Sequence, residues 1–420
     1  LDRHPYYVVG RRNLCLAAAY DDAVTTEELA AVCRDAVQDF PVCRGRPRLR
    51  DTTGRPLRVG FVSGDFRAHS VAAFVEPLFA HFDPARIACH AYSVVSRPDR
   101  LTARVKRLAT AWRDVHGWSA DQLADAVRAD EIDILIELAG PTGDVFLDAF
   151  AARPAPVQAS WLGWPATSGS AAIDFKLSDA LLTPPGGPET FFETPLNLEG
   201  PALCFQPPDD APETAPAPIL ANGYPTFGSF NRVFKASPRT LRLWAAVLNR
   251  VRGGRLLLKD AAFRCPETSQ RFLGRLEAAG IAPGRVRLVG STATRADHLA
   301  LYGEVDVALD SVPYNGVTTT CEALWMGVPT VSVVGDRSLA RYGLTVLSHA
   351  GLRDCVATDG AGYVDRAVAL ASDPAALADM RRGMRERLLA SPLLDGPAYA
   401  RNFAAACRRM LEIVAEREAA

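Results

Sequence analysis

The chain has 420 residues, 48% of them apolar and 23% charged, which is the composition of an ordinary globular protein long enough for two cores. A formal net charge of −1 gives it no electrostatic grip on nucleic acid or on an acidic membrane. No apolar run approaches the roughly 20 residues of a membrane span, and no secretory signal opens the chain.

Nine cysteines without a C-x-x-C argue against a disulfide framework or a zinc site, and a reducing cytoplasm fits best. His and carboxylate residues do not cluster at metal-ligand spacings and no Asp-x-Asp pair occurs, so no metal is expected. The opening residue is Leu rather than Met, which points to a fragment.

Residues 1–50 read as a helical linker. Its clear pattern is Thr25–Phe40, capped by Thr25 or Thr26, with Leu29, Val32, Cys33 and Val37 on one face. After the turn-prone stretch Arg44–Pro56, strands are expected at Leu57–Val62, Cys89–Val95, Ile132–Leu138 and Val157–Leu162. Helices fall between them, one ending near Phe82 and one at Ser119–Ala129 with Ser119 as its cap. These make a first half, residues 51–205. Residues 181–225, rich in Pro, Gly and acids, read as an interdomain connection.

The alternation restarts in a second half, residues 220–394. Strands are expected at Thr226–Ser229, Arg255–Lys259, Val286–Val289, Val305–Leu309, Thr330–Val334 and Asp354–Val356. Helices are expected at Pro238–Val251, Pro266–Ala279, Glu322–Met326, Tyr363–Ala371 and Pro374–Ala390. A last helix, Ala398–Ala419, lies in residues 395–420 and would pack back on the first half. The order implies an α/β fold of two Rossmann-like, doubly wound domains facing a cleft, with ligands at the carboxyl ends of the strands.

Candidate chemistry collects at those strand ends. The most informative stretch is DVALDSVPYNGVTTTCEALWMGVPTVSVVG, where a Pro-Tyr-Asn315-Gly316 turn leads into Thr318, Thr319 and Thr320. At the start of a helix these would sit beside unpaired backbone N–H groups, a natural seat for phosphate. The same spacing, Thr319-x-x-Glu322, also fits a capping box that needs no ligand. Lys235, after strand Thr226–Ser229, could neutralise a leaving diphosphate or simply open a helix on the surface. His298 could stack on or bond a nucleobase. In the first half, His69 could act as a general base or bond a sugar, and Asp65 could cap the next helix. Gly140-Pro141-Thr142-Gly143 and the loop opening at Gly163 are small-residue turns that admit a ligand to the backbone.

Together these segments resemble the catalytic region of the O-GlcNAc transferase/SPINDLY family of protein O-glycosyltransferases, from about Leu57 to Leu394. LRVGFVSGDFRAHSVAAFVEPL, DILIELAGPTG, RPAPVQASWLGWPATSG, FGSFNRVFKASPRTLRLWAAVL and DSVPYNGVTTTCEALWMGVPTV follow in family order. The last, with its TTTCE, is nearer the SPINDLY branch. The resemblance implies a metal-independent, inverting GT-B enzyme with a nucleotide-sugar co-substrate and no cofactor. It implies Lys235 and the pair Thr318 and Thr319 at the donor diphosphate, Glu322 at the ribose, and His298 near the base. It places His69 at the active site of the first half, and aligns Asp130 with a residue proposed as general base. Upstream tetratricopeptide repeats would dock a protein acceptor bearing Ser or Thr.

Three departures bear on the donor. Pro141 stands where the SPINDLY pattern has His, Val317 where animal enzymes have His, and Arg232 where close relatives have Asn or Gln. An added Arg beside the donor would suit an acidic sugar, such as a CMP-activated nonulosonic acid bound for flagellin. A sugar-nucleotide epimerase and an inactive nucleotide-binding module are the other classes left open.

Overall fold

The computed structural model describes residues 8–40, 45–142 and 147–419, which divide into two compact units. Within the described residues the first holds 8–19, 24–206 and 395–419, and the second 20–23 and 207–394.

The first unit is built on seven parallel strands in the order β3-β2-β1-β4-β5-β6-β7. They are β1 (Leu57–Ser63), β2 (Ile87–Ser93), β3 (Ala111–Asp114), β4 (Ile134–Glu137), β5 (Val157–Ser160), β6 (Phe175–Ser178) and β7 (Thr194–Asn197). The strands β4, β5 and β6 are buried along their whole length, as a parallel sheet covered on both faces requires. On one face Phe61, Phe79, Trp161 and Phe403 form a ring cluster, with Phe61 4.9 Å from Phe79 and Trp161 5.1 Å from Phe403. Phe403 comes from the helix Gly396–Ala419, which also buries Tyr399, Cys407 and Met410 in this core.

The second unit has six parallel strands in the order β10-β9-β8-β11-β12-β13. They are β8 (Thr226–Ser229), β9 (Arg255–Lys259), β10 (Val286–Val289), β11 (Val307–Leu309), β12 (Thr330–Val333) and β13 (Val356–Ala357). Phe227, Leu256, Leu258, Val331, Trp244 and Tyr363 fill its main core.

Sequence and structure differ at instructive places. The helix expected at Thr25–Phe40 runs Thr26–Val37, and a second helix, Val8–Tyr20, precedes it. The supposed connection 181–225 begins inside the first sheet, because Thr194–Asn197 is its edge strand. Pro195 hid that strand, since proline is tolerated only at a sheet edge. The short strand β3 is half-exposed and lacks the apolar run that marks its neighbours.

Candidate functional site

In each sheet the chain reverses its direction of winding once, between β1 and β4 in the first and between β8 and β11 in the second. Open α/β sheets bind ligands outside the carboxyl ends of the strands at such a point. In the second unit β8 and β11 lie side by side, Phe227 opposite Val307 and Gly228 opposite Ala308. Their two following loops are therefore neighbours.

The loop after β8 carries Asn231, Arg232 and Lys235. Lys235 ends a short 3-10 turn, Val233–Lys235, and its Nζ donates to the Asn315 carbonyl at 2.8 Å. The same ammonium lies 4.0 Å from the centre of the Tyr314 ring. Burial pushes its pKa down to about 8, and the nearby Asp310 carboxylate acts in the other direction. Arg232 is exposed, with Nε 3.6 Å from buried Asp260 and its guanidinium 5.9 Å from the Phe234 ring.

The loop after β11 is organised by Asp310. Its Oδ1 accepts from Ser311 N at 2.9 Å, Gly316 N at 2.7 Å and Asn231 Nδ2 at 3.2 Å, and its Oδ2 accepts from Ser332 Oγ at 2.7 Å. Burial raises the Asp310 pKa, while these donors and Lys235 act against the rise. Asn315 is fully buried and braces the turn, donating to Ser311 O at 2.9 Å and accepting from Gly343 N at 3.2 Å. A side chain at Gly316 would meet Thr319 Oγ1 at 2.3 Å and Asn231 Oδ1 at 2.6 Å, so the close approach of the loops demands glycine.

The helix Thr318–Trp325 begins here, with Val317 as its cap residue and no side-chain cap. The capping box read at Thr319 and Glu322 is thus corrected. The Thr319 hydroxyl donates to Asn231 Oδ1 at 2.9 Å and the Thr320 hydroxyl to Gly316 O at 3.0 Å. Thr318 and Thr319 are half-exposed where the first-turn N–H groups emerge. Glu322 instead faces His298, with Oε2 3.2 Å from Nε2, while Arg295 stands 3.5 Å from Oε1. The His298 ring packs 5.6 Å from Phe230 and 5.9 Å from Tyr302, and its buried Nδ1 has no partner among the described residues. Lys259, at the end of β9, is near enough to Glu322 and Asp260 for both to favour its charge against burial.

The structure therefore brings together Arg232, Lys235, His298, Asn315, Gly316, Thr318, Thr319, Thr320 and Glu322 in one unit. Sequence reasoning missed Asp310, Asn231, Arg295 and Lys259. Lys259 carried a signal, as one of only four lysines in the chain and at a strand end.

In the first unit, His69 and Asp65 follow β1, and Pro141 and Thr142 follow β4 across the switch point. His69 Nδ1 lies 3.4 Å from Asp65 Oδ2 and also accepts from Val71 N at 3.3 Å. The two contacts compete for one nitrogen. With a proton on Nδ1 turned to Asp65, Nε2 is free to take a proton; with Val71 donating to Nδ1, it is not. Burial lowers the His69 pKa, Asp65 opposes this, and Arg67 adds to it. Pro141 is buried in the short turn Gly140–Thr142, and Gly163 follows β5. Gly143 and the side chain of Thr142 lie outside the described residues.

Asp130 is a correction. It caps the carboxyl end of the helix Ala120–Ala129, just before the chain enters β4 at the amino edge of the sheet. Its carboxylate accepts from Tyr92 Oη at 2.8 Å and from Arg113 Nε and NH2 at 2.7 and 2.5 Å. These partners and the Arg113 charge hold its pKa below the usual carboxylate range against desolvation. A carboxylate so occupied, at the wrong end of the sheet, is not grouped with His69.

A lysine and a helix N-terminus at the switch point of a Rossmann-like unit are the groups with which such units can seat a phosphate. The comparisons carry this further. The glycosyl transferase family 41 pattern matches residues 18–194 and 220–403. The SPINDLY protein of Solanum lycopersicum is 39% identical over 406 residues, covering 95% of this chain and 44% of that protein. The SEC protein of Arabidopsis thaliana is 27% identical over 372 residues, covering 86% and 37%. The solved structure of an O-GlcNAc transferase variant from Thermobaculum terrenum superposes with a TM-score of 0.94 at 35% identity, covering all of this chain and 80% of that one. The fold is GT-B, and the chain belongs to glycosyl transferase family 41. It spans less than half the length of these plant relatives.

Proposed function

We propose that this chain transfers a sugar from a nucleotide-sugar to a Ser or Thr hydroxyl of a protein, with inversion and without a metal. The observation that carries this is the pairing of Lys235 with the first turn of Thr318–Trp325 on adjacent strand ends. Diphosphate oxygens would take the first-turn N–H groups and the Lys235 ammonium, which supply the positive charge the leaving group needs. Glu322 would bond the ribose, and His298, with Nδ1 unpartnered among the described residues, would face the base. As the bond from the anomeric carbon to the diphosphate breaks, the acceptor oxygen bonds to the opposite face of that carbon. The acceptor proton goes to His69 Nε2, when Asp65 holds the other ring nitrogen, or to water.

The SPINDLY relatives are described as probable UDP-N-acetylglucosamine–peptide N-acetylglucosaminyltransferases, which supports a UDP-sugar donor and a peptide acceptor. A CMP-linked acidic sugar moved to flagellin has only exposed Arg232 in its favour. The described cysteines are all free, which suits the reducing cytoplasm where we place the reaction. Among the described residues no helix is long and apolar enough to cross a membrane.

A calorimetric panel of UDP, GDP and CMP, followed by transfer assays with the matching labelled sugar, tests this reading. Selective binding of one nucleotide, and transfer abolished in Lys235→Ala, are expected. Parent-like turnover by that variant would overturn the role given to Lys235.

A further inference from the structure

Three buried charged residues of the first unit are not used by the chemistry above. Glu137, fully buried at the end of β4, accepts from the N–H groups of Ala139 and Gly140 at 2.8 and 2.5 Å, both on Oε2. Its Oε1 is buried without a partner among the described residues. Lys176, buried on β6, donates to Ser160 Oγ at 3.1 Å and to the Trp164 carbonyl. Buried Glu193 accepts from Thr167 Oγ1 at 2.6 Å and from the N–H and hydroxyl of Ser168. Each charge is hydrogen-bonded to a loop that leaves the carboxyl edge of the sheet, and Glu137 and Glu193 lie near enough to Lys176 to favour its charge against burial.

Those two loops, after β4 and after β5, interlock. A Cβ at Gly163 would sit 1.8 Å from the Leu138 carbonyl oxygen, and one at Gly140 would sit 2.4 Å from Trp164 Cβ. Gly140 has φ +53°, and Leu162 is held at φ +76°, a conformation a leucine keeps only when its surroundings impose it. Pro141 suits the same device. Glu137 binds the N–H groups at positions 139 and 140, and residue 141 brings none to satisfy.

We propose that Glu137 and Lys176 are positioning residues of the transfer reaction, clamping from beneath the two interlocked loops that present residues 140–142 and 163–169 to the acceptor. This rests on the protein O-glycosyl transfer proposed above. A buried charge used in this way stabilises little, because desolvation offsets what its contacts contribute, but it allows only one loop arrangement. The nucleotide seat lies in the other unit and does not depend on either group.

The full chain, Glu137→Gln, Lys176→Met, Lys176→Arg and the double variant Glu137→Gln/Lys176→Met are compared. Nucleotide titration sets the concentration of folded sites, and kcat and acceptor KM are measured at saturating donor. The single neutral variants are expected to bind nucleotide within about twofold of the parent, since the nucleotide seat is built from residues of the other unit. Their transfer per folded site is expected to fall by about 100-fold, as loop misplacement of ~1 Å would cause. Lys176→Arg should recover much of that loss, and the double variant should lose no more than the worse single. Parent-like kcat and acceptor KM in the folded singles would overturn the proposal, as would nucleotide binding lost in step with transfer. A parent that binds nucleotide but transfers nothing would instead sink the proposed function.

Discussion

Lys235 should make the fold less stable at neutral pH while making transfer possible. Its pKa falls from the ordinary 10.5 to about 8 in the folded chain. That gap corresponds to about 3 kcal/mol, trimmed to about 2 because the group is only half-buried and solvent screens it. The unfolded chain holds this proton up to about pH 10.5, the folded one only up to about pH 8. Between those values the unfolded state binds more protons, so stability rises with pH; below pH 8 the destabilisation is present in full. Lys235→Met removes it but also the hydrogen bond to the Asn315 carbonyl, worth about 1 kcal/mol. The variant should therefore gain about 1 kcal/mol at pH 7 by urea denaturation and lose that advantage by pH 10. An equal loss of stability at both pH values would refute the reasoning.

The same linkage governs the ligand. A diphosphate favours charged Lys235, so near pH 8, where the free protein is half protonated, binding should take up about half a proton. Calorimetry in buffers of different ionisation enthalpy reads that number directly. Above pH 8 the affinity should fall toward tenfold per pH unit, a range in which the nucleotide phosphate is already fully ionised.

Three other substitutions separate the parts of the site. Glu322→Ala should weaken nucleotide binding about tenfold, or 1.4 kcal/mol, and leave inorganic pyrophosphate binding unchanged. Equal loss of both ligands would show that it supports the loop rather than the ribose. Gly316→Ala drives a methyl against Thr319 Oγ1 and Asn231 Oδ1 and should cost about 1–3 kcal/mol of stability together with diphosphate affinity, checked by denaturation and titration. Asp130→Asn should lower stability by about 1–2 kcal/mol through Arg113 and Tyr92 yet leave kcat per folded site within about threefold. A far larger loss in kcat would restore it as a base.

The alternation of strands and helices is readable in the sequence because parallel strands buried on both faces carry short apolar runs, as in Ile134–Ile136 and Leu256–Leu258. Half-exposed edge strands lack that signature, which hides Ala111–Asp114 and Thr194–Asn197, and in buried Phe175–Ser178 the polar Lys176 and Ser178 interrupt it. The donor-side residues were found through loops at strand ends and the family resemblance. What organises them was not, because Asp310 and Asn231 act through backbone groups that spacing cannot reveal. The capping box failed for a similar reason: Thr319 has a better partner in Asn231, 88 positions away in the chain. Asp130 shows the converse, since a resemblance in sequence does not reveal that this carboxylate ends a helix and is held by Arg113 and Tyr92.

The two switch points share a plan and differ in one respect that decides where chemistry is possible. Across each, the carboxylate at or just beyond the end of the inner strand, Glu137 after β4 and Asp310 after β11, gathers the N–H groups of its own loop. In each unit a lysine also donates to a loop carbonyl, Lys176 of β6 to Trp164 and Lys235 to Asn315. Lys176 projects from a strand and is wholly covered, so its charge can serve only the loop. Lys235 comes from a loop, is half-exposed against Tyr314, and can exchange its carbonyl for a phosphate oxygen. With only Lys106, Lys176, Lys235 and Lys259 in the chain, lysine-selective NMR resolves the difference. Nucleotide should raise the Lys235 titration midpoint from about 8 and leave the Lys176 resonance where it was. Movement of Lys176 alone would place the anion beside the loop after β5 in the first unit and reverse the roles assigned to the two lysines.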